Sequence, residues 1–182
     1  MDYVIINPGR VAGKINAPAS KSSMQRACAA ALLCGRTSTL LNPGDSNDDR
    51  AALSIIKQLG AEVMPFEDAY LIKPLSSFFI NSPLEISAGE SGLSVRMFTP
   101  ITSLFDKEIK VKGNGSLLTR PMEGFAEIFN QLGIEYTSKD DKLPVTICGP
   151  LVPRNIKIDG SLSSQYLTGI LMAYSAAKAN DV

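Results

Sequence analysis

Polar and apolar positions along this chain fall into short blocks of two alternating periods. Ser20 stands before a stretch whose apolar residues crowd into Ala27–Cys34, and Gly35 follows, which predicts a helix from Lys21 to Cys34 with Ser20 as its cap. Thr37–Leu41 is β-branched and apolar and reads as a strand, stopped by Asn42-Pro43-Gly44. A second helix is expected with Asn47 as cap, Asp48 and Asp49 in its first turn, and Ala52, Ile55, Ile56 and Leu59 on one stripe, ending at Gly60. Ala61–Met64 and Ala69–Ile72 then form a strand pair around Pro65–Asp68.

The same order returns downstream. Glu90–Phe105 predicts a helix, Glu108–Val111 a strand, and Pro121–Leu132 a helix opened by proline and striped by Phe125, Ile128, Phe129 and Leu132. Val145–Cys148 closes the block as a strand. Gln58-Leu59-Gly60-Ala61-Glu62-Val63 matches Gln131-Leu132-Gly133-Ile134-Glu135-Tyr136 at an offset of 73, and Arg26 precedes Arg96 by 70. A period of that size marks a reused supersecondary unit, here β-α-β-α-β-β. Val4–Ile6, a short strand ended by Pro8-Gly9, leads the first copy. Unit one covers about 19–80, unit two about 81–150, and a partial unit three about 151–182, with a strand at Ile156–Ile158 and a helix from Ser163 to Lys178. The fold class is α/β (α+β). The third unit reads as truncated, since no second helix follows; a small natural domain ending in a docked helix is the other reading.

With 182 residues, 45% hydrophobic and 20% charged, the chain suits an ordinary globular protein. Eighteen basic and eighteen acidic side chains cancel, so there is no general basic field for nucleic acid. Histidine is absent, leaving Lys, Arg, Asp and Glu for any proton transfer. Cys28, Cys34 and Cys148 form no CxxC pair and read as buried, reduced thiols. The first residues lack a basic signal-peptide region, and no apolar run reaches membrane-spanning length; a cytoplasmic protein is the expectation.

Candidate chemistry clusters about 71 residues apart, each time where a helix begins. The clusters are Ser20-Lys21-Ser22 with Arg26, Gly89-Glu90-Ser91-Gly92 with Arg96, and Ser161-Leu162-Ser163-Ser164-Gln165. Helix leading ends carry unpaired N–H groups and the positive end of the dipole, which suits anions. Lys21, Ser22 and Arg26 would offer a phosphate an ammonium, a hydroxyl and a guanidinium fork; they would equally make a capped helix with solvated charges. Gly89–Arg96 alone reads as a glycine-rich cap, while Lys112–Arg120 is a polar loop delivering Arg120 before Pro121. Asp48 and Asp49 read as first-turn residues, not catalysts. No GxxxxGK[ST] occurs.

In order, these segments resemble the 5-enolpyruvylshikimate-3-phosphate synthase (3-phosphoshikimate 1-carboxyvinyltransferase) family, N-terminal portion. Ser20-Lys21-Ser22 with Arg26, Asp48-Asp49, Leu59-Gly60-Ala61, Gly89–Arg96, Arg120-Pro121-Met122 and Ser163-Ser164-Gln165 with Leu167 carry the likeness. The resemblance implies the enolpyruvyl transferase fold, with helices packed together and sheets outside. In it, residues 1–18 would supply a strand and hinge belonging to the partner domain, and 19–182 a substrate-binding domain. It implies enolpyruvyl transfer from phosphoenolpyruvate to shikimate 3-phosphate in aromatic amino acid biosynthesis, without metal or organic cofactor. Lys21, Ser22, Arg26, Ser163, Ser164 and Gln165 would bind shikimate 3-phosphate; Lys21, Gly92, Arg120 and Gln165 would bind phosphoenolpyruvate, and Gly92 would meet the inhibitor glyphosate. The acidic proton-transfer groups would come from the missing C-terminal half, leaving this chain half a site, and the full-length form would be a monomer. Glu90-Ser91-Gly92-Leu93 stands where the family commonly has Asn-Ala-Gly-Thr, which puts a carboxylate beside an anion site. A UDP-N-acetylglucosamine 1-carboxyvinyltransferase-like enzyme fits less well: it resembles Lys-Asn at the first helix, and its reactive Cys falls at Gly115 here. A non-catalytic anion- or nucleic-acid-binding fragment is the remaining alternative.

Overall fold

The computed structural model describes residues 3–122, 124–161 and 163–180. Leu162 of the third cluster, with Met1, Asp2, Glu123, Asp181 and Val182, lies outside the described residues. The chain order is α1 (Lys21–Leu33), β1 (Ser38–Leu41), α2 (Asn47–Gln58), β2 (Glu62–Phe66) and β3 (Ala69–Lys73), then β4 (Leu84–Ser87), α3 (Gly92–Thr102), β5 (Glu108–Lys112), a 3-10 turn (Gly115–Thr119), α4 (Phe125–Leu132), β6 (Glu135–Lys139), β7 (Lys142–Cys148) and α5 (Ser164–Ala176). The strands make two sheets, ordered β1-β3-β2 and β4-β5-β7-β6. All pairs are antiparallel except β4 with β5, which α3 connects.

Helix α3 lies at the centre because its residues are apolar almost all round. Leu93, Val95, Met97, Phe98 and Ile101 are buried, as a helix without a polar face requires. Two hydroxyls at its C-terminal end are satisfied locally: Thr102 donates to the Thr99 carbonyl at 2.7 Å and Ser103 to that of Pro100 at 2.6 Å. Helix α5 packs on it through Gly169, where a Cβ would stand 2.5 Å from the Met97 carbonyl oxygen. Phe125, Phe129, Tyr136 and Tyr166 form an aromatic cluster beneath α4, with the Phe125 and Tyr166 rings edge-on at 4.7 Å.

Several expectations are corrected. Val4–Ile6 is not a strand: it has no ladder partner among the described residues and is exposed. Only unit two therefore shows the full β-α-β-α-β-β order. Ile156–Ile158 also pairs with no strand; the Gln131 side chain supplies its backbone bonds, accepting from the Lys157 N–H at 2.8 Å and donating to its carbonyl at 2.9 Å. Ser46, not Asn47, caps α2, because its hydroxyl and Asp49 close a reciprocal capping box. Helix α4 starts at Phe125 rather than Pro121, since Gly124 at φ 92° breaks the helical path and the Met122 N–H donates to the Asp141 carbonyl at 2.6 Å. Helix α3 is also shorter than expected, capped by Ser91, with Glu90 outside it. Of the cysteines only Cys28 is buried: Cys148 is half-buried, and Cys34, which ends α1, is exposed.

Candidate functional site

Three helix beginnings are tied together by side chains. In α1, the Ser20 hydroxyl accepts the Ser23 N–H at 3.4 Å; in α3, the Ser91 hydroxyl accepts that of Ser94 at 3.1 Å. Gln25, 1% exposed, joins the two ends: its Oε1 accepts the hydroxyls of Ser91 at 2.7 Å and Ser94 at 2.9 Å. Lys21 lies one turn before Gln25, and its Nζ donates to Asp48 Oδ2 at 2.9 Å, linking α1 to the first turn of α2. Asp49 turns inward, accepting from the Ser46 N–H at 3.0 Å and its hydroxyl at 2.7 Å.

The leading end of α5 joins through Arg96. This side chain sits one turn into α3, with Nη1 3.5 Å from Gln165 Oε1 and 3.4 Å from the Gly92 carbonyl, and Nε 3.4 Å from the Tyr166 hydroxyl. Arg120 reaches the same place from the other side. A Cβ at Gly92 would lie 3.0 Å from Arg96 Nη1 and 3.2 Å from Arg120 Nη1, so both guanidinium tips close on a position open only because it carries no side chain.

The segment carrying Arg120 is pinned at several points. The Asn114 N–H donates to the Gly89 carbonyl at 2.7 Å, buried Leu117 anchors the 3-10 turn, and the Arg120 N–H donates to the Leu117 carbonyl at 3.2 Å. Glu90 is part of this arrangement. Its Oε2 accepts the Ser116 N–H at 3.3 Å and its carboxyl packs over Gly115, which has φ 53° and no room for a Cβ. The carboxylate is thus engaged at the start of the 3-10 turn.

Gly92, Arg120 and Gln165 are therefore gathered in one cluster with Arg96. Lys21 and Ser22 start the neighbouring helix, and Arg26 donates to the Ser22 carbonyl at 3.1 Å. Among the described residues no hydrogen bond joins Lys21 or Arg26 directly to Gln165 or Arg120; the connection runs through Gln25. Ser163 caps α5, accepting the Gln165 N–H at 3.2 Å, while Ser164 leads its first turn. Gln25 received no role from the sequence, and Arg96 only a place in the second cluster. The available signals were a buried amide one turn beyond Lys21, and an arginine four residues after Gly92.

Hydrogen bonding to Asp48 holds the Lys21 ammonium above the usual lysine pKa, so it stays cationic throughout the physiological range. Behind the site, burial and the Asp49 charge push the Cys28 thiol up to about 12, leaving it unreactive. The whole arrangement is a set of cations, hydroxyls and helix ends suited to phosphate and carboxylate groups.

The family model described as EPSP synthase (3-phosphoshikimate 1-carboxyvinyltransferase) matches residues 5–182. The 3-phosphoshikimate 1-carboxyvinyltransferase of Clostridium kluyveri is 33% identical over 173 residues, covering 95% of this chain and 40% of the relative. That of Clostridium beijerinckii is 34% identical over 182 residues, covering 94% of this chain and 41% of the relative. The chain thus spans about two fifths of the length of the curated relatives it matches. Among solved structures, the EPSP synthase from Acinetobacter baumannii superposes with a TM-score of 0.74 at 24% identity, covering 88% of this chain and 37% of that one, a likeness of fold. No helix among the described residues is long and apolar enough to cross a membrane.

Proposed function

The chain belongs to the EPSP synthase (3-phosphoshikimate 1-carboxyvinyltransferase) family, and on that footing we propose that it forms one wall of a site transferring enolpyruvyl from phosphoenolpyruvate to shikimate 3-phosphate. The observation that carries this reading is the placement of Gly92 between the Arg96 and Arg120 guanidinium tips, with Gln165 alongside. Two polyanions must be brought into contact for this reaction, and their repulsion has to be offset by fixed positive charge before the reacting atoms meet.

In this reading Gly92 and Arg120 line the phosphoenolpyruvate site. Lys21, Ser22, Arg26, Ser163 and Ser164 hold shikimate 3-phosphate, and Lys21 and Gln165 serve both. Lys21 reaches the ligand by exchanging Asp48 for a substrate oxygen; an exposed ion pair of this kind is readily given up. Glu90 keeps its charge on the 3-10 turn and away from the anion. Asp49 and Glu90 have protein partners and Asp48 belongs to the first turn of α2, so the groups that protonate and deprotonate substrate carbons would come from the portion the relatives have beyond the matched two fifths. The exposed apolar residues Val4, Ile5, Ile6, Val11 and Ile15 would dock on that portion, and the completed protein would act as a monomer.

Thermal unfolding with and without ligand tests the reading. Shikimate 3-phosphate should raise the midpoint in a saturable manner, whereas shikimate, lacking the phosphate, should not. Equal effects of the two, or no effect of either, would overturn it.

A further inference from the structure

We propose that Arg96 is a positioning residue that fixes which way round the Gln165 amide stands, so that its NH2 group, not its carbonyl, faces an anionic ligand. A guanidinium has donors only, whereas a glutamine amide has one accepting and one donating end. Arg96 Nη1 lies 3.5 Å from Gln165 Oε1. Turning the amide over would bring its NH2 against a second donor, and two facing donors repel. The carbonyl therefore stays on Arg96, and both N–H bonds of Nε2 point elsewhere.

Arg96 is itself held for this task. Nε donates to the Tyr166 hydroxyl at 3.4 Å, and the guanidinium lies 5.8 Å from the centre of the Tyr166 ring. Tyr166, 4% exposed, is fixed edge-on by Phe125. Nη1 also lies against the Gly92 carbonyl, so the arm bridges α3 and α5 with its nearest donors occupied by protein acceptors. Those bonds are the reason to treat Arg96 as acting through Gln165 instead of touching the ligand. Without Arg96 the amide is free to present an oxygen to a phosphate or carboxylate, which repels it.

The inference rests on the reading above only in that Gln165 meets the ligand, and two arms separate them. In the ligand-free 182-residue chain, 15N relaxation of the Gln165 side-chain amide should show a rigid group, mobile in R96M and partly rigid again in R96K, which restores a donor. A rigid amide in R96M would overturn the proposal. In the binding arm, R96M and Q165A should each weaken shikimate 3-phosphate by about tenfold, the scale of one charge-assisted hydrogen bond. The double variant should lose no more than either alone, because one residue works through the other. Losses that add would make Arg96 an independent ligand contact and overturn the proposal. Absence of binding by the unaltered chain would defeat the functional reading, while the relaxation arm would still decide the role of Arg96.

Discussion

Replacing Gly92 by Ala should move stability and ligand affinity in opposite directions. Gly92 is the first residue of α3 and its φ lies outside the left-handed region, so alanine fits the backbone without strain. A Gly→Ala change at such a position stabilises by about 0.4–1 kcal/mol, mainly by restricting the unfolded chain. For a protein of this size that is a rise in midpoint of about 1–4 °C. The new methyl, however, would stand 3.0 Å from Arg96 Nη1 and 3.2 Å from Arg120 Nη1, tighter than ordinary carbon–nitrogen contact. Exposed Arg120 can swing outward; Arg96, held by Gln165 and Tyr166, has less freedom. Either way the methyl occupies the space proposed for the anion. Losing one charge-assisted hydrogen bond there costs about 1.5–3 kcal/mol, or roughly 10- to 150-fold in phosphoenolpyruvate affinity. Differential scanning fluorimetry and calorimetric titration, with shikimate 3-phosphate present, read the two effects separately. A raised midpoint with undiminished affinity would refute the placement of the anion, and a midpoint lowered by several degrees would refute the argument from backbone.

Gly169→Ala should act with the opposite sign on stability. Its Cβ would meet the Met97 carbonyl oxygen at 2.5 Å and Pro100 Cγ at 2.9 Å, so α3 and α5 must part; the overpacking cost of about 1–3 kcal/mol outweighs the helix-propensity gain of up to about 1, and denaturant titration should show a net loss. Ser46→Ala removes the α2 cap and the hydroxyl that donates to buried Asp49, for an expected loss of about 1–2 kcal/mol read by urea unfolding; an unchanged midpoint would contradict the capping-box account. Cysteine alkylation followed by mass spectrometry should label exposed Cys34 long before Cys28. Partial burial raises the Cys34 pKa, but hydrogen bonding with the Ser38 hydroxyl and the nearby Arg36 charge bring it net below an ordinary thiol. Its labelling rate should therefore level off at lower pH than that of a free cysteine, whereas Cys28, pushed up to about 12, should label only on unfolding.

The elements that the sequence disclosed were those whose signals are local. Ser20 and Gly35 bracket α1, the stripe Phe125–Ile128–Phe129–Leu132 marks α4, and the repeated Leu-Gly ends α2 and α4 alike. The misreadings arose where a local signal met a tertiary competitor. Asn47 and Ser46 are both capable caps, and only the reach of Asp49 back to Ser46 chooses between them. Pro121 suits a helix start, but Met122 is committed to the β6–β7 turn and Gly124 resets the chain. Ile156–Ile158 has strand composition, yet a glutamine side chain takes up the backbone of its middle residue, Lys157, in place of a neighbouring strand. At the site, Lys21, Gly92 and Gln165 could be picked out because each stands at a helix start, whereas Arg120 was picked out by the expected start at Pro121 and instead ends the 3-10 turn. Gln25 acquires its role, and Arg96 its partners, only when residues 66 to 70 positions apart are laid side by side, which no local pattern records.

The central claim is that the starts of α1, α3 and α5, with Arg120, form one anion site that receives the two phosphorylated substrates side by side. Titrating the 15N-labelled chain with shikimate 3-phosphate tests it most directly. The backbone amides of Lys21, Ser22, Ser164 and Gln165 should shift along a single saturating curve, and phosphoenolpyruvate added to the saturated chain should then shift those of Gly92 and Arg120. Shifts confined to one of these segments, or gathered on the outer face of the β1-β3-β2 sheet, would contradict it.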